Sequence, residues 1–210
     1  MNDSPGSKSD PLLNILAKGL KIWIRSKCES VADLSLVING SGLELLRGNL
    51  SGVSVNAREI SFRGLQIDDV EIQSNSLKLS YNLKKINKLV SLNEPFHING
   101  CIKLSNAGIN EFFSSESFNN LGQTVLDKLF GSVSFFKANI KDDSLFLKVI
   151  KDTNSEMIED RFTIRSDNKT ILIFNECKEF SLPMDSSISI KTAYIYQDSL
   201  CIDAEAEVRP

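Results

Sequence analysis

Ser199-Leu-Cys-Ile-Asp-Ala-Glu-Ala-Glu-Val-Arg209 is one strand with two unlike faces. Leu200, Ile202, Ala204, Ala206 and Val208 take every even position, and Cys201, Asp203, Glu205, Glu207 and Arg209 take every odd one. Side chains along a strand point alternately to either side, so this period of two gives one dry face and one wet, acidic face. An antiparallel sheet covered on one side has this signature. Moving toward the N terminus, the pattern recurs in Tyr194/Tyr196, Ile188/Ile190, Ile171/Ile173, Phe162/Ile164 and Leu145/Leu147/Val149. It is present earlier in Leu77/Leu79/Tyr81, Val53/Val55/Ala57 and Leu34/Leu36/Ile38, and Leu43 and Leu45 also read as alternation. Gly, Asn and Ser punctuate these runs, as in the turns Arg47-Gly48-Asn49 and Arg63-Gly64. Two runs change phase: Ile60 and Phe62 after Ala57, and Val70 and Ile72 after Ile67. These slips predict β-bulges or bends near Arg58-Glu59 and Asp68-Asp69.

Helical periodicity is rarer. Asp10-Pro11 is a start signal, with an N-cap carboxylate before a proline suited to the first helical position. The helix is predicted from Pro11 to about Cys28. Its polar stripe is Asn14, Lys18, Lys21 and Arg25, and its other faces carry Leu12, Leu13, Ile15, Leu16, Leu20, Ile22, Trp23 and Ile24. So broad an apolar arc suits a helix clasped by a sheet or one lying at a membrane surface. Trp23 would anchor at the interface or fill the core. Residues 117–130 give a second helix, with Leu121, Val125 and Leu129 on one row, Leu126 and Phe130 on another, and Gly131 to end it. Residues 105–115 read as a helical turn carrying Phe112 and Phe113, and residues 83–95 as a Lys-rich helix or loop.

The chain has 210 residues, 41% apolar and 24% charged, which suits a single globular domain over residues 11–210 behind a polar, disordered tail at 1–10. No apolar run is long enough to span a bilayer as a helix. The net charge of −3 is unevenly placed: residues 1–28 carry +3 and the remainder −6. An acidic body argues against nucleic acid as a partner. Cys28, Cys101, Cys177 and Cys201 are far apart, and His97 is the sole histidine, so no zinc-ligand spacing exists and the cysteines read as reduced thiols. GxSxG, GxGxxG and P-loop motifs are absent. Asp68-Asp69 and Asp142-Asp143 read as turn acids serving backbone or solvent. The expectation is a non-enzyme without a metal or cofactor.

About ten one-sided strands and two helices leave a covering problem, because a helix of ~14–18 residues spans only roughly 21–27 Å. The predicted fold is α+β: a long, strongly curved antiparallel sheet wrapped around the N-terminal helix and one further helix. Either the core fills itself or an apolar groove remains.

Several segments resemble the LmeA-like phospholipid-binding family: Leu20–Ser30 (LKIWIRSKCES), Gly42–Val53 (GLELLRGNLSGV), Ala57-Arg58, Arg63-Gly64-Leu65 and Glu94-Pro95-Phe96. The likeness runs from about residue 11 to 115 and in particular resembles the versions found in photosynthetic bacteria, which lack a secretion signal. It implies a lipid-handling role and carries over no catalytic residues. Combined with the residue pattern, it makes Leu16, Leu20, Trp23, Phe112, Phe113 and Phe130 the candidates for contact with acyl chains. Lys18, Lys21 and Arg25 become the candidates for anionic headgroups. The expected function is binding of a phospholipid or similar amphiphile, with reversible peripheral association at a membrane. The expected place is the cytoplasm, on the inner or photosynthetic membrane. The alternative is an assembly protein whose sheet face or edge binds a protein partner.

Overall fold

The computed structural model describes residues 10–81, 90–92, 94–114, 117–152 and 155–210. The expected tail lies outside these apart from Asp10, as do residues 83–89 and 93 of the Lys-rich segment.

Four helices are described: α1 (Pro11–Lys27), α2 (Gly42–Leu46), α3 (Asn106–Ser114) and α4 (Asn119–Phe130). The strands of the N-terminal half are β1 (Ser30–Asn39), β2 (Asn49–Leu50), β3 (Gly52–Phe62), β4 (Leu65–Ser74), β5 (Leu77–Tyr81), β6 (Val90–Leu92) and β7 (Phe96–Leu104). Those of the C-terminal half are β8 (Val133–Lys141), β9 (Ser144–Lys151), β10 (Met157–Asp167), β11 (Thr170–Phe174), β12 (Glu179–Ser181), β13 (Ile188–Tyr196) and β14 (Ser199–Val208). They form a six-stranded sheet in the order β1-β3-β4-β7-β14-β13, a five-stranded meander β12-β11-β10-β9-β8, and a small sheet β2-β5-β6. The architecture is the predicted one, mostly antiparallel β with a strongly curled half-barrel sheet and an N-terminal helix, although the strands divide among three sheets.

Local chemistry accounts for the element ends. The Asp10 side chain accepts from Leu12 N at 3.0 Å, and Pro11 opens α1. Its second oxygen accepts from Gly42 N at 2.6 Å and so pins the start of α1 to α2. The alternation expected at Leu43 and Leu45 is replaced by this short helix. Ser41 and Glu44 form a capping box, Glu44 N donating to Ser41 Oγ and Ser41 N to the Glu44 carboxylate, which outweighs two spaced leucines. Arg63-Gly64, Asp142-Asp143, Asn168-Lys169 and Gln197-Asp198 each join adjacent strands with positive φ at both residues, the geometry of two-residue hairpins whose twist matches the sheet.

The two predicted irregularities are one feature. Val31, Ile60 and Ile67 align across β1, β3 and β4, and so do Asp33, Arg58 and Asp69. Between these rows Ala32, Glu59 and Asp68 are skipped without any shift of register, and Glu59 takes φ +49°. No strand gains an extra residue. All three strands kink together, so Ile60 and Ile67 return to the core side despite the change of parity. Asp68 accepts from Ser105 N, which ties the kink to the start of α3.

Most of the interior lies between α3, α4, the five-stranded sheet and the far end of the large sheet. Val125, Leu147, Val149 and Phe162 are fully buried there. A smaller core of Leu13, Leu36, Ile38, Leu50 and Leu77 lies under α1. The two halves of the chain are joined by the pairing of β7 with β14, from Leu104 opposite Leu200 to Phe96 opposite Val208.

Candidate functional site

Among the described residues, the inner face of the large sheet is covered at its two sides and left thin in between. α1 and the small sheet sit over β1 and β3, where Leu16, Leu20, Val53 and Val55 pack into the smaller core. α3 and the meander sit over the other end. Between them Val70 and Ile72 of β4, Ile98 and Gly100 of β7, and Ala206 and Val208 of β14 are half-buried and join neither core. Ile72 is opposite Gly100, which is opposite Ala204, so small residues floor the middle of this strip. A Cβ on Gly100 would lie 3.7 Å from Glu71 O and 3.8 Å from an Ile72 carbon, ordinary contact with room above it. From the Phe96–Val208 row to the Ile102–Val70 row the strip covers six steps of β7, roughly 20 Å at ~3.3 Å per step. One leaflet of a ~30 Å hydrocarbon layer is about 15 Å deep, so the floor is longer than an acyl chain in a bilayer.

At its far end the floor runs into a partly enclosed apolar cavity of about 100 Å³. Leu104, Leu200 and Ile202 form its base. Ile109, Phe112 and Phe113 of α3 form one wall, and Leu145, Ile164, Ile171 and Ile173 of the meander the opposite one. Every lining side chain is apolar, so the cavity offers a ligand dispersion and dryness and nothing to hydrogen-bond.

α3 is fastened to the meander by two side chains. Asn110 accepts from Ala138 N at 2.8 Å and donates to Ala138 O at 2.9 Å. One turn earlier Asn106 does the same for Ile140, accepting from its N–H and donating to its carbonyl. Two amides thus stand in for a neighbouring strand and satisfy the free edge of β8.

A family model described as LmeA-like phospholipid-binding matches residues 8–184 of the 210. The chain belongs to that family. No curated protein and no solved structure matches it. For this LmeA-like chain the half-covered floor and the cavity are the places where an apolar ligand would meet apolar wall.

The structure separates the candidate residues. Phe112 and Phe113 line the cavity, their rings edge to face at 5.2 Å. Phe130 is buried behind it, edge to face with Phe162 at 5.8 Å and capped by Lys178 Nζ 4.2 Å from its centroid. Leu16 and Leu20 pack beneath α1 in the smaller core. Trp23 is 58% exposed and does not fill the core. It shares an outward face with Leu12, Ile15 and Ile22, the last 70% exposed, while Leu43 and Leu46 are exposed on the neighbouring α2. Lys18 and Arg25 are exposed and Lys21 half-buried on the stripe between the covered and uncovered faces of α1. Of the floor residues, Ile72 and Ala206 read in the sequence only as sheet alternation, and no local pattern marks Ile98 or Gly100 as their neighbours.

The convex face of the large sheet has a different chemistry. Cys101 faces Asp203 there, and burial, the hydrogen bond to Asp203 and the neighbouring carboxylates push its thiol up to about 11. Lys191, at the irregular step in β13, donates to Glu205 at 2.9 Å and holds that carboxyl below its ordinary value. His97 is exposed at the start of β7, opposite Glu207. Among the described residues no group of three or more His, Cys, Asp or Glu could hold a metal. No described helix is long and apolar enough to cross a membrane.

Proposed function

We propose that this chain is a non-enzymatic phospholipid carrier that works at a membrane surface. Acyl chains would lie on the concave floor between the α1 side and the α3 side. The observation that carries this is the strip Val70–Ile72–Ile98–Gly100–Ala206–Val208, apolar and half-exposed between two cores in a member of a phospholipid-binding family. Membrane association would be peripheral and would use α1. Its outward face presents Leu12, Ile15, Ile22 and Trp23, and Lys18, Lys21 and Arg25 flank that face while the rest of the molecule is acidic. Three cations near an anionic surface contribute about 3 kcal/mol, a salt-sensitive attraction on the order of a hundredfold in partitioning. The four cysteines are unpaired, which suits a reducing compartment and the cytoplasmic side of the membrane.

Two measurements test this reading. Native mass spectrometry of the purified protein should show a mass increment of lipid size, lost on delipidation and lost in Gly100→Phe, whose ring would occupy the floor. Replacement of Lys18, Lys21 and Arg25 together by Gln should cut vesicle flotation about a hundredfold at low salt and little at high salt. Lipid retained equally by Gly100→Phe would remove the floor from the mechanism. Equal flotation of the triple variant would reduce the basic stripe to a solvated helix face.

A further inference from the structure

Beside the apolar cavity lies a second hollow of about 350 Å³ between α3, α4 and β8. Its walls include Leu126, Val133 and Phe136, and its rim carries the exposed Ser114, Gln123 and Ser134. Among the described residues Phe113 is the one that borders both spaces. Its ring leans on Phe136, with centroids 4.3 Å apart, and closes the cavity on that side. Its backbone is fixed, because α4 crosses so closely that a Cβ on Gly122 would come within 2.9 Å of Phe113 Cα. The main chain is therefore held while the ring has a hollow behind it.

We propose that the cavity receives the methyl end of one hydrocarbon chain and that Phe113 is the stop that sets how long that chain can be. This rests on the reading that acyl chains lie on the floor, and adds the end point and the specificity. The sheet face that forms the floor continues as the base of the cavity, since Ile102 and Ile202 are paired in register and adjoin Leu104 and Leu200, and Ile202, Leu104 and Leu200 line the cavity. At about the ~30 Å³ that a water molecule takes in the liquid, the cavity accepts roughly three or four methylene groups. A chain of the right length ends there in full van der Waals contact. A longer one must push the Phe113 ring off Phe112 and past Phe136 into the hollow, at the cost of its contacts with both rings. The lining carries no polar atom to fix a headgroup, so discrimination at this end acts on chain length alone. The class of ligand is a lipid with at least one hydrocarbon chain lying along the sheet.

The test is a competition. Delipidated protein is mixed with an equimolar series of saturated lysophosphatidylglycerols, from lauroyl to behenoyl, and native mass spectrometry reads the occupancy of each. Wild type should show an upper edge, with occupancy falling about tenfold per methylene beyond it. Phe113→Ala should move that edge toward longer chains by about two to four methylenes, Phe113→Leu by less, and Phe113→Trp should move it toward shorter ones. The position of the edge is read only on folded, occupied molecules, and Phe113→Leu keeps an apolar filler if the alanine variant is too unstable. Identical edges in wild type and all three variants would overturn the stop; if Gly100→Phe still abolished occupancy, the floor reading would stand. Occupancy that survives Gly100→Phe, with an edge indifferent to Phe113, would overturn both. A wild type that retains none of the series would overturn the stop, while lipid co-purifying from cells would still decide the floor.

Discussion

α1 and α3 both cover the inner face of the large sheet, and they do so differently. α3 is held by side chains. Asn106 and Asn110 bond two residues of β8, Ser105 N bonds Asp68, and Gly108 lies so close to β4 that a Cβ there would meet Gln66 O at 2.2 Å. Ile109 and Phe113 are buried beneath it. α1 buries only Leu13 fully, is pinned mainly at its start through Asp10, and leaves four large apolar side chains in solvent. The contrast separates a scaffold that fixes the cavity from a looser element able to meet another apolar phase. Regions with few buried contacts open at lower free-energy cost than the global fold.

The largest expected effect breaks the scaffold. Phe162 is fully buried in the main core, so Phe162→Ala should cost about 3–5 kcal/mol. Leu13→Ala, in the smaller core, should cost about 2 kcal/mol, because a site beneath an exposed helix can collapse. Urea denaturation measures both, and amide exchange should show α1 opening alone in the second variant. Equal global losses would mean that the two cores form one cooperative unit.

Next in size is the fastening of α3. Asn110→Ala leaves the N–H and carbonyl of Ala138, itself 1% exposed, without partners and should cost about 1–3 kcal/mol. Asn110→Asp keeps the acceptor oxygen and loses the amide donor, so the bond to Ala138 O fails and the one from Ala138 N survives. Amide exchange at Ala138 should therefore quicken strongly in the alanine variant and less in the aspartate one. Unchanged protection would show that α3 is held by packing alone.

The smallest effect lies on the convex face. Lys191 lowers the Glu205 carboxyl through a hydrogen bond and its charge. A lowered folded value stabilises the native state above the unfolded carboxylate range and loses that contribution as pH falls through the folded value. Lys191→Met should raise the Glu205 titration midpoint toward its ordinary value in a side-chain carboxyl NMR titration, with little change in the denaturation midpoint, since both groups are exposed. A large loss of stability would give surface charge a role that the comparison assigns to the interior.

Short-range chemistry sets the local elements. Period-two runs made strands, Asp10-Pro11 started a helix, Gly131 ended another, and Arg63-Gly64 turned a hairpin, because each depends on neighbours a few residues away. Ser41-x-x-Glu44 was equally legible and was masked by two alternating leucines. The phase slips at Glu59 and Asp68 were visible, but their alignment in one kink belongs to the pairing of three strands. Pairing of β7 with β14 joins residues about a hundred positions apart, and no local pattern encodes which dry face meets which. Only that pairing puts Gly100 beside Ala204 and Leu104 beside Leu200, and so makes a floor and a cavity from residues that separately read as ordinary core. Trp23 shows the same limit. Its helix has more apolar surface than one sheet can cover, and only packing decided that Leu13 goes inward and Trp23 outward.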